Sequence, residues 1–301
     1  MAYRKPAQSA PAAPAPEPFE PEAEGEHLDA EDRGHAAEKT SLHAQVIYEM
    51  IRREGERELA RPTSALFWSG LAAGMSMGFS LIAEGMLHAL LPDAPWRPLV
   101  SKLGYAVGFI IVILGSQQLF TENTLRPVIP LLRNRSMRTL RDVGRLWAAV
   151  LVANLLGALL FVLLVNWEGM FDAQAHAAFE EIGRHAYAGS FATQFLQGIF
   201  AGYLIALMLW LLPEAQAAKV IVITILAYLI GISGLPHIVA GSLEVLYLVV
   251  TGRTSIMGYL LDFMVPTLLG NMVGGVLLVA GLNHAQVTAG RPQEGEVHAR
   301  A

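Results

Sequence analysis

The stretch KVIVITILAYLIGISGLPHIVAGSLEVLYLVV, residues 219–250, decides how the rest of the chain is read. It is long and apolar enough to cross a bilayer, for which roughly 20 helical residues suffice. Yet Gly231, Gly234, Pro236 and Gly241 interrupt it, and an imidazole, His237, sits at the interruption. Backbone freed from helical pairing at membrane depth finds no partner in lipid, so it needs protein or a polar cavity around it. Such a break, carrying an ionisable side chain, is expected to face a pathway.

The same pattern extends outward. Residues 146–167 and 186–213 hold no Asp, Glu, Lys or Arg. Charged residues make up 16% of the chain and hydrophobic ones 53%, where a soluble domain carries about 25% charged. Mean hydropathy is +0.43. These figures exclude a soluble globular enzyme. Six spans are expected, at 64–91, 98–121, 146–167, 188–213, 219–250 and 256–282. The second is interrupted too, by SQQLFTENT at 116–124. Spans one to three and four to six form two sets in opposite topology, each with a broken middle member. The expected fold is therefore an all-α membrane protein of six transmembrane helices, arranged as two inverted three-helix repeats with broken second and fifth helices, aquaporin-like. Broken helices at matching places in inverted halves point to a midplane transport site.

Four regions are expected: a disordered acidic Pro/Ala/Glu-rich tail at 1–40, an amphipathic helix at 41–60, the six-span domain at 61–283 and a polar tail at 284–301. The first tail has no apolar core such as a cleaved leader carries. In the 41–60 helix, Leu42, Val46, Met50 and Ile51 recur at helical spacing behind Ser41 as N-cap. Arg52, Arg53, Arg57 and Arg61 precede the first span; Arg126, Arg133, Arg135, Arg138, Arg141 and Arg145 lie between the second and third. The 168–187 connection is acidic, with Glu168, Asp172, Glu180 and Glu181. Positive loops stay inside, so both termini are expected in the cytoplasm. The chain has no cysteine, which excludes disulfides and thiol chemistry.

Ionisable groups at membrane depth are His237, Glu122, Glu84, His88, Glu244 and Asp262. His237 can donate one hydrogen bond when neutral, which suits a path for small anions or protons. Thr121, Gln117 and Gln118 bring neutral polar groups to the other break, with Glu122 beside them. If Glu122 lines the path, a neutral or cationic solute is the alternative. A third reading, from another class, gathers Glu84, His88, Glu122 and His237 around a metal as an intramembrane enzyme. Lys219 opens the fifth span, where snorkelling to the interface is the ordinary explanation.

Several motifs together resemble the formate/nitrite transporter family. They are LFT at 119–121, ANLLGALLFVLL at 153–164, GNMVGG at 270–275 behind DFMVP at 262–266, and the histidine of PHIVA. Lys219 stands ahead of His237 at the spacing of the family's cytoplasmic lysine. FTENTL and the long polar N-terminal tail resemble its YfdC-like inner-membrane branch. The resemblance implies a homopentamer of channels or transporters for small monovalent anions of weak acids, in a bacterial inner membrane. It implies His237 and Thr121 as the central polar pair. It also implies apolar constrictions of Phe109, Leu119, Phe120 and Ile205 on the cytoplasmic side and Tyr105 and Ile230 on the outer side, with Lys219 attracting anions. Departures are Gly202 and Gly241, where formate and nitrite members carry Asn, and Pro236, where they carry Glu. The expected partners are lipid and a small solute; no cofactor, catalytic residue, metal or nucleic acid is expected.

Overall fold

The computed structural model describes residues 44–289. The expected tail at 1–40, the N-cap Ser41, Leu42 and the part of the C-terminal tail after 289 lie outside the described residues. The described chain is helical throughout. Helix α1, Ala44–Ala60, precedes α2, Thr63–Leu90, and α3, Arg97–Leu114. A non-helical stretch then leads through a 3-10 turn, Glu122–Thr124, to α4, Val128–Asn134, and α5, Met137–Val165. Helix α6, Ala173–Tyr187, fills the acidic connection. Helix α7, Phe191–Ala215, turns into α8, Lys219–Ile232, which breaks before α9, Ala240–Val250. The last span, α10, is Ile256–Val287.

One boundary differs clearly from expectation. Helix α5 begins at Met137 because Ser136 caps it, accepting from the Thr139 amide at 3.1 Å. Arg138, Arg141 and Arg145 therefore ride on a helix rather than a loop. Asp172 caps α6 in the same way through Ala175 at 2.8 Å. Pro266 lacks the amide that regular pairing needs, and the turns before it, Tyr259–Met264, widen to π geometry.

Small residues bring the long helices together. A Cβ on Gly74 would overlap the Asn154 carbonyl of α5, and one on Gly157 the Leu71 carbonyl of α2. In the second half Gly202 meets the Asn271 carbonyl of α10, and Gly274 the Ile199 carbonyl of α7. Such contacts are how helices pack in lipid, where apolar area gives little net drive.

Helix α1 docks through Ile47, Tyr48, Ile51 and Gly55, all buried, while Val46 and Met50 stay exposed. Of the expected stripe Ile51 is buried, but Ile47 takes the place of Val46 on the buried face, one position or about 100° of helix rotation away. The reason is Gly55, whose missing side chain admits the Arg126 carbonyl. Arg145 caps the end of α1, donating to the Leu59 carbonyl at 2.7 Å and the Arg61 carbonyl at 3.0 Å. On its outer face Glu49 pairs with Arg52 at 2.6 Å and Arg53 at 3.0 Å. These hydrogen bonds, that from Arg52 first, hold the Glu49 carboxyl down at about 2.

Candidate functional site

The two broken spans end their first halves with the same backbone device. At the end of α3, Gln117 donates to the Val112 carbonyl at 3.0 Å and Ser116 sits at φ 50°. At the end of α8, Leu235 donates to the Ile230 carbonyl at 3.1 Å and Gly234 sits at φ 61°. Both are the long-range bond and left-handed residue that close a helix C-terminus.

The segments that follow have few helical bonds, and an asparagine holds each. Asn154 of α5 accepts from the Phe120 amide at 2.9 Å and donates to the carbonyls of Gln118 at 2.9 Å and Gly70 at 2.7 Å. Asn271 of α10 accepts from the Ile238 amide at 2.9 Å and donates to the carbonyls of Pro236 at 3.0 Å and Gly198 at 2.9 Å. Both side chains are fully buried. Each therefore satisfies three backbone groups that no water reaches.

Held this way, the two segments meet. Thr121 Oγ1 lies 2.8 Å from His237 Nε2, and both residues are buried. His237 Nδ1 accepts from the amides of Val239 at 3.3 Å and Ala240 at 3.1 Å, capping α9. An Nδ1 that accepts carries no proton, so the neutral ring has its hydrogen on Nε2 and donates it to Thr121. The Thr121 hydroxyl proton is then free to point elsewhere.

Two cavities approach this pair from opposite ends of the bundle. One, of about 530 Å³, lies beside α1 and is lined by Arg53, Arg57, Arg126 and Lys219 against Glu54, with Ser116 and Leu212. The other, of about 390 Å³, reaches His237 itself and is lined by Tyr105, Ile230, Gly241 and Phe263, with Glu84, Lys102 and Glu244 on its wall. Phe109, Leu119, Phe120 and Ile205 are buried and line neither. Phe109 stands edge-on to His237 with ring centres 5.0 Å apart, and Tyr105 follows at 5.4 Å from Phe109. Ser80 anchors this wall, donating to the Tyr105 carbonyl at 2.6 Å and accepting from Gly108 at 2.9 Å.

Glu122 is buried and paired with Arg126 at 2.9 Å; Arg126 reaches on to Glu54 of α1 at 3.5 Å. Its second oxygen has no partner among the described residues, and Glu122 lines neither cavity. The four residues of the metal reading do not converge. Glu84 pairs with Lys102 at 2.5 Å and His88 with Glu181 at 3.0 Å, while Glu122 belongs to the opposite end. Asp262 accepts from Tyr187 at 3.0 Å. Nor do the two glycines leave matching gaps: at Gly202 the Asn271 backbone fills the space, and at Gly241 the Phe263 ring does.

The formate/nitrite transporter model matches residues 45–285. The chain belongs to the formate/nitrite transporter family. The inner membrane protein YfdC of Escherichia coli K12 is 41% identical over 81% of this chain and 79% of its own length. A pentameric formate channel with formate bound superposes with a TM-score of 0.63 at 20% identity, covering 75% of this chain and 98% of that one. An ion channel of the same family does so at 0.66 and 20%, covering 79% and 98%. Both likenesses speak to the fold. The chain is a multi-pass inner membrane protein, and its family consists of channels and transporters rather than enzymes.

Several contributors to the site were not singled out from the sequence. Asn154 and Asn271 stood inside quoted motifs without a role; their signal is Asn-x-x-Gly, which occurs at both places with Gly157 and Gly274. Arg126 counted only toward orientation, and Lys102 was not considered.

Proposed function

We propose that the chain is a channel or secondary transporter for the monovalent anion of a small weak acid, formate- or nitrite-like. The solute moves through a pore at the centre of each protomer of a homopentamer. In this reading residues 61–283 form two inverted three-helix repeats and both termini are cytoplasmic. The matched closures of α3 and α8 and the matched roles of Asn154 and Asn271 support the repeat. Residues 41–60, as a cytoplasmic helix, lie at the inner mouth.

The observation that carries the proposal is the Thr121–His237 pair, buried where both breaks meet, with a cation-lined cavity on one side. Lys219 and the arginines draw the anion into the inner cavity. Phe109, Leu119, Phe120 and Ile205 form the inner constriction, Tyr105 and Ile230 the outer one, and Thr121 turns its hydroxyl proton to the passing solute. The solute crosses the apolar part as the neutral acid. Protonating a weak acid about three pH units above its pKa costs about 4 kcal/mol. Taking a bare anion into a low-dielectric slit costs several kcal/mol even after relaxation, and far more without it. Protonation is the cheaper route. The reading in which Glu122 lines the path for a cation gains nothing from its ion pair with Arg126.

Uptake of formate, acetate, lactate and nitrite into proteoliposomes tests the proposal, with His237→Ala as control. At least one solute should enter the parent vesicles faster than the variant. No uptake of any of them, and no effect of the substitution, would overturn it.

A further inference from the structure

We propose that Glu244 is the proton-exchange group of this pathway, set against the fixed Glu84–Lys102 ion pair on the wall of the cavity that reaches His237. The inference rests on the transport reading and names the source of its proton. Glu244 is 8% exposed, and the surface it keeps faces that cavity. Among the described residues it makes no hydrogen bond or ion pair, whereas Glu84, 2% exposed, is engaged by Lys102 at 2.5 Å. One ammonium thus serves two buried carboxyl groups. It pairs directly with Glu84 and acts on Glu244 only at longer range, which leaves Glu244 the less compensated acid.

Among the described residues the neighbours of α9 bring other charged and protonatable groups to this cavity, but none bonds to Glu244. From α2 come Glu84 and His88, and from α3 Lys102 and Tyr105. Helix α6 brings Glu181 and His185, with His88 already on Glu181 at 3.0 Å. Farther along α9, His176 of α6 is bonded to Tyr247 at 2.6 Å, and Glu180 is taken by Arg184 and Arg253. Helix α10 brings Tyr259, bonded to Ser242 at 2.9 Å, and Asp262, bonded to Tyr187 at 3.0 Å. Arg97 stands with Asp93 at 3.4 Å in the cavity's mouth.

His237 is poorly built to be the donor. Giving up its Nε2 hydrogen would leave an imidazolate, and protonating Nδ1 would break both amide bonds at the start of α9. Glu244 has neither obstacle. The O–H bond of its carboxylic acid breaks while an O–H bond forms on the solute oxygen. The electron pair stays on Glu244, and the carboxylate regains a proton from water in the cavity. Outward movement runs the same step in reverse, with no further reactant.

The test is formate uptake into proteoliposomes as outside pH is raised, comparing parent, Glu244→Gln and Glu244→Asp. Neutral formic acid in solution falls about tenfold per pH unit above its pKa. Parent flux should fall less steeply than that. Glu244→Gln should follow the neutral acid, so that its deficit against the parent widens with pH, and Glu244→Asp, which keeps the acid, should restore the parent slope. Infrared spectra of the parent should also show a buried carboxylic-acid band that Glu244→Gln removes and formate perturbs. Equal slopes in parent and Gln variant, a loss equal at every pH, or no such band would overturn the inference while leaving transport standing. A parent that carries no solute at all would overturn both.

Discussion

Replacing Asn271 by Leu keeps the branching at Cγ and removes the polar atoms, which makes it a direct probe of how the breaks are held. The change orphans two buried backbone groups, the Ile238 amide and the Pro236 carbonyl; the Gly198 carbonyl, inside α7, keeps its helical bond and loses only a second donor. A buried group left unpaired costs about 1–3 kcal/mol, so the sum is about 2–6 kcal/mol. Hydrogen bonds between membrane helices average only about 0.6 kcal/mol, because the unfolded state in the membrane finds other partners. That discount is small here. The 236–238 backbone is non-helical when folded, and in a micelle-bound helix its groups would pair with one another. A loss of about 2–5 kcal/mol is expected, a large share of the about 5–15 kcal/mol that holds a typical domain. Asn154→Leu orphans the equivalent Phe120 amide and Gln118 carbonyl, while the Gly70 carbonyl keeps its bond inside α2, and should cost the same within about 1 kcal/mol. Asn123→Leu is the control: the Leu119 carbonyl keeps the Asn123 amide at 3.3 Å, so the change strands one side-chain oxygen, Gln118 Oε1, and should cost about 1–3 kcal/mol. Unfolding by SDS titration in mixed micelles reads all three. Losses below about 1 kcal/mol for both leucine variants, or an equal loss in the control, would refute the bracing role.

Two further outcomes follow from local geometry. Ser116 and Gly234 occupy the same left-handed position in the two closures, where a side chain costs about 1 kcal/mol. Ser116→Gly should therefore stabilise slightly. Gly234→Ala, with open space around its Cβ, should destabilise by backbone strain alone, about 1 kcal/mol in the same titration; a loss well above that would show a packing role instead. The Glu49 carboxyl, depressed from 4.5 to about 2, gives α1 a contribution that is full above about 4.5 and fades as pH falls toward about 2. Hydrogen exchange in Ala44–Ala60 should stay slow from neutral pH down to that point. Loss of protection at milder acidity would show that another group holds the helix.

The two breaks were legible because glycine, proline and polar residues interrupt apolar runs, and nothing else explains such punctuation inside a span. Lys219 could be placed because it opens a helix whose length fixes where its end lies. What stayed hidden depends on partners far away in sequence. Asn154 and Asn271 bond to backbone atoms, and backbone carries no residue signature. The buried face of α1 was misread by one position because a packing glycine, Gly55, counts for nothing in a hydrophobic pattern. Gly202, a departure from the formate and nitrite members, makes room for the α10 backbone, a contact that the sequence does not signal.

The scaffolding repeats while the chemistry does not, and this asymmetry bears on the solute. Asn154 fixes the Phe120 amide and Asn271 the Ile238 amide, so the residues just before them, Leu119 and His237, occupy matching places. The residues just after, Thr121 and Val239, match as well. One break thus offers a leucine then a hydroxyl; the other offers an imidazole then a valine. Each polar group faces across to the opposite loop rather than to a copy of itself, which is how Nε2 comes to meet Oγ1. Because the amides of Val239 and Ala240 occupy Nδ1, the direction of the pair is set: the ring gives its hydrogen to Thr121. In the proposed pathway the proton left facing the solute is that of the Thr121 hydroxyl. Such a centre favours solutes with lone pairs, an anion or its neutral acid, and gives an ammonium ion less to bind.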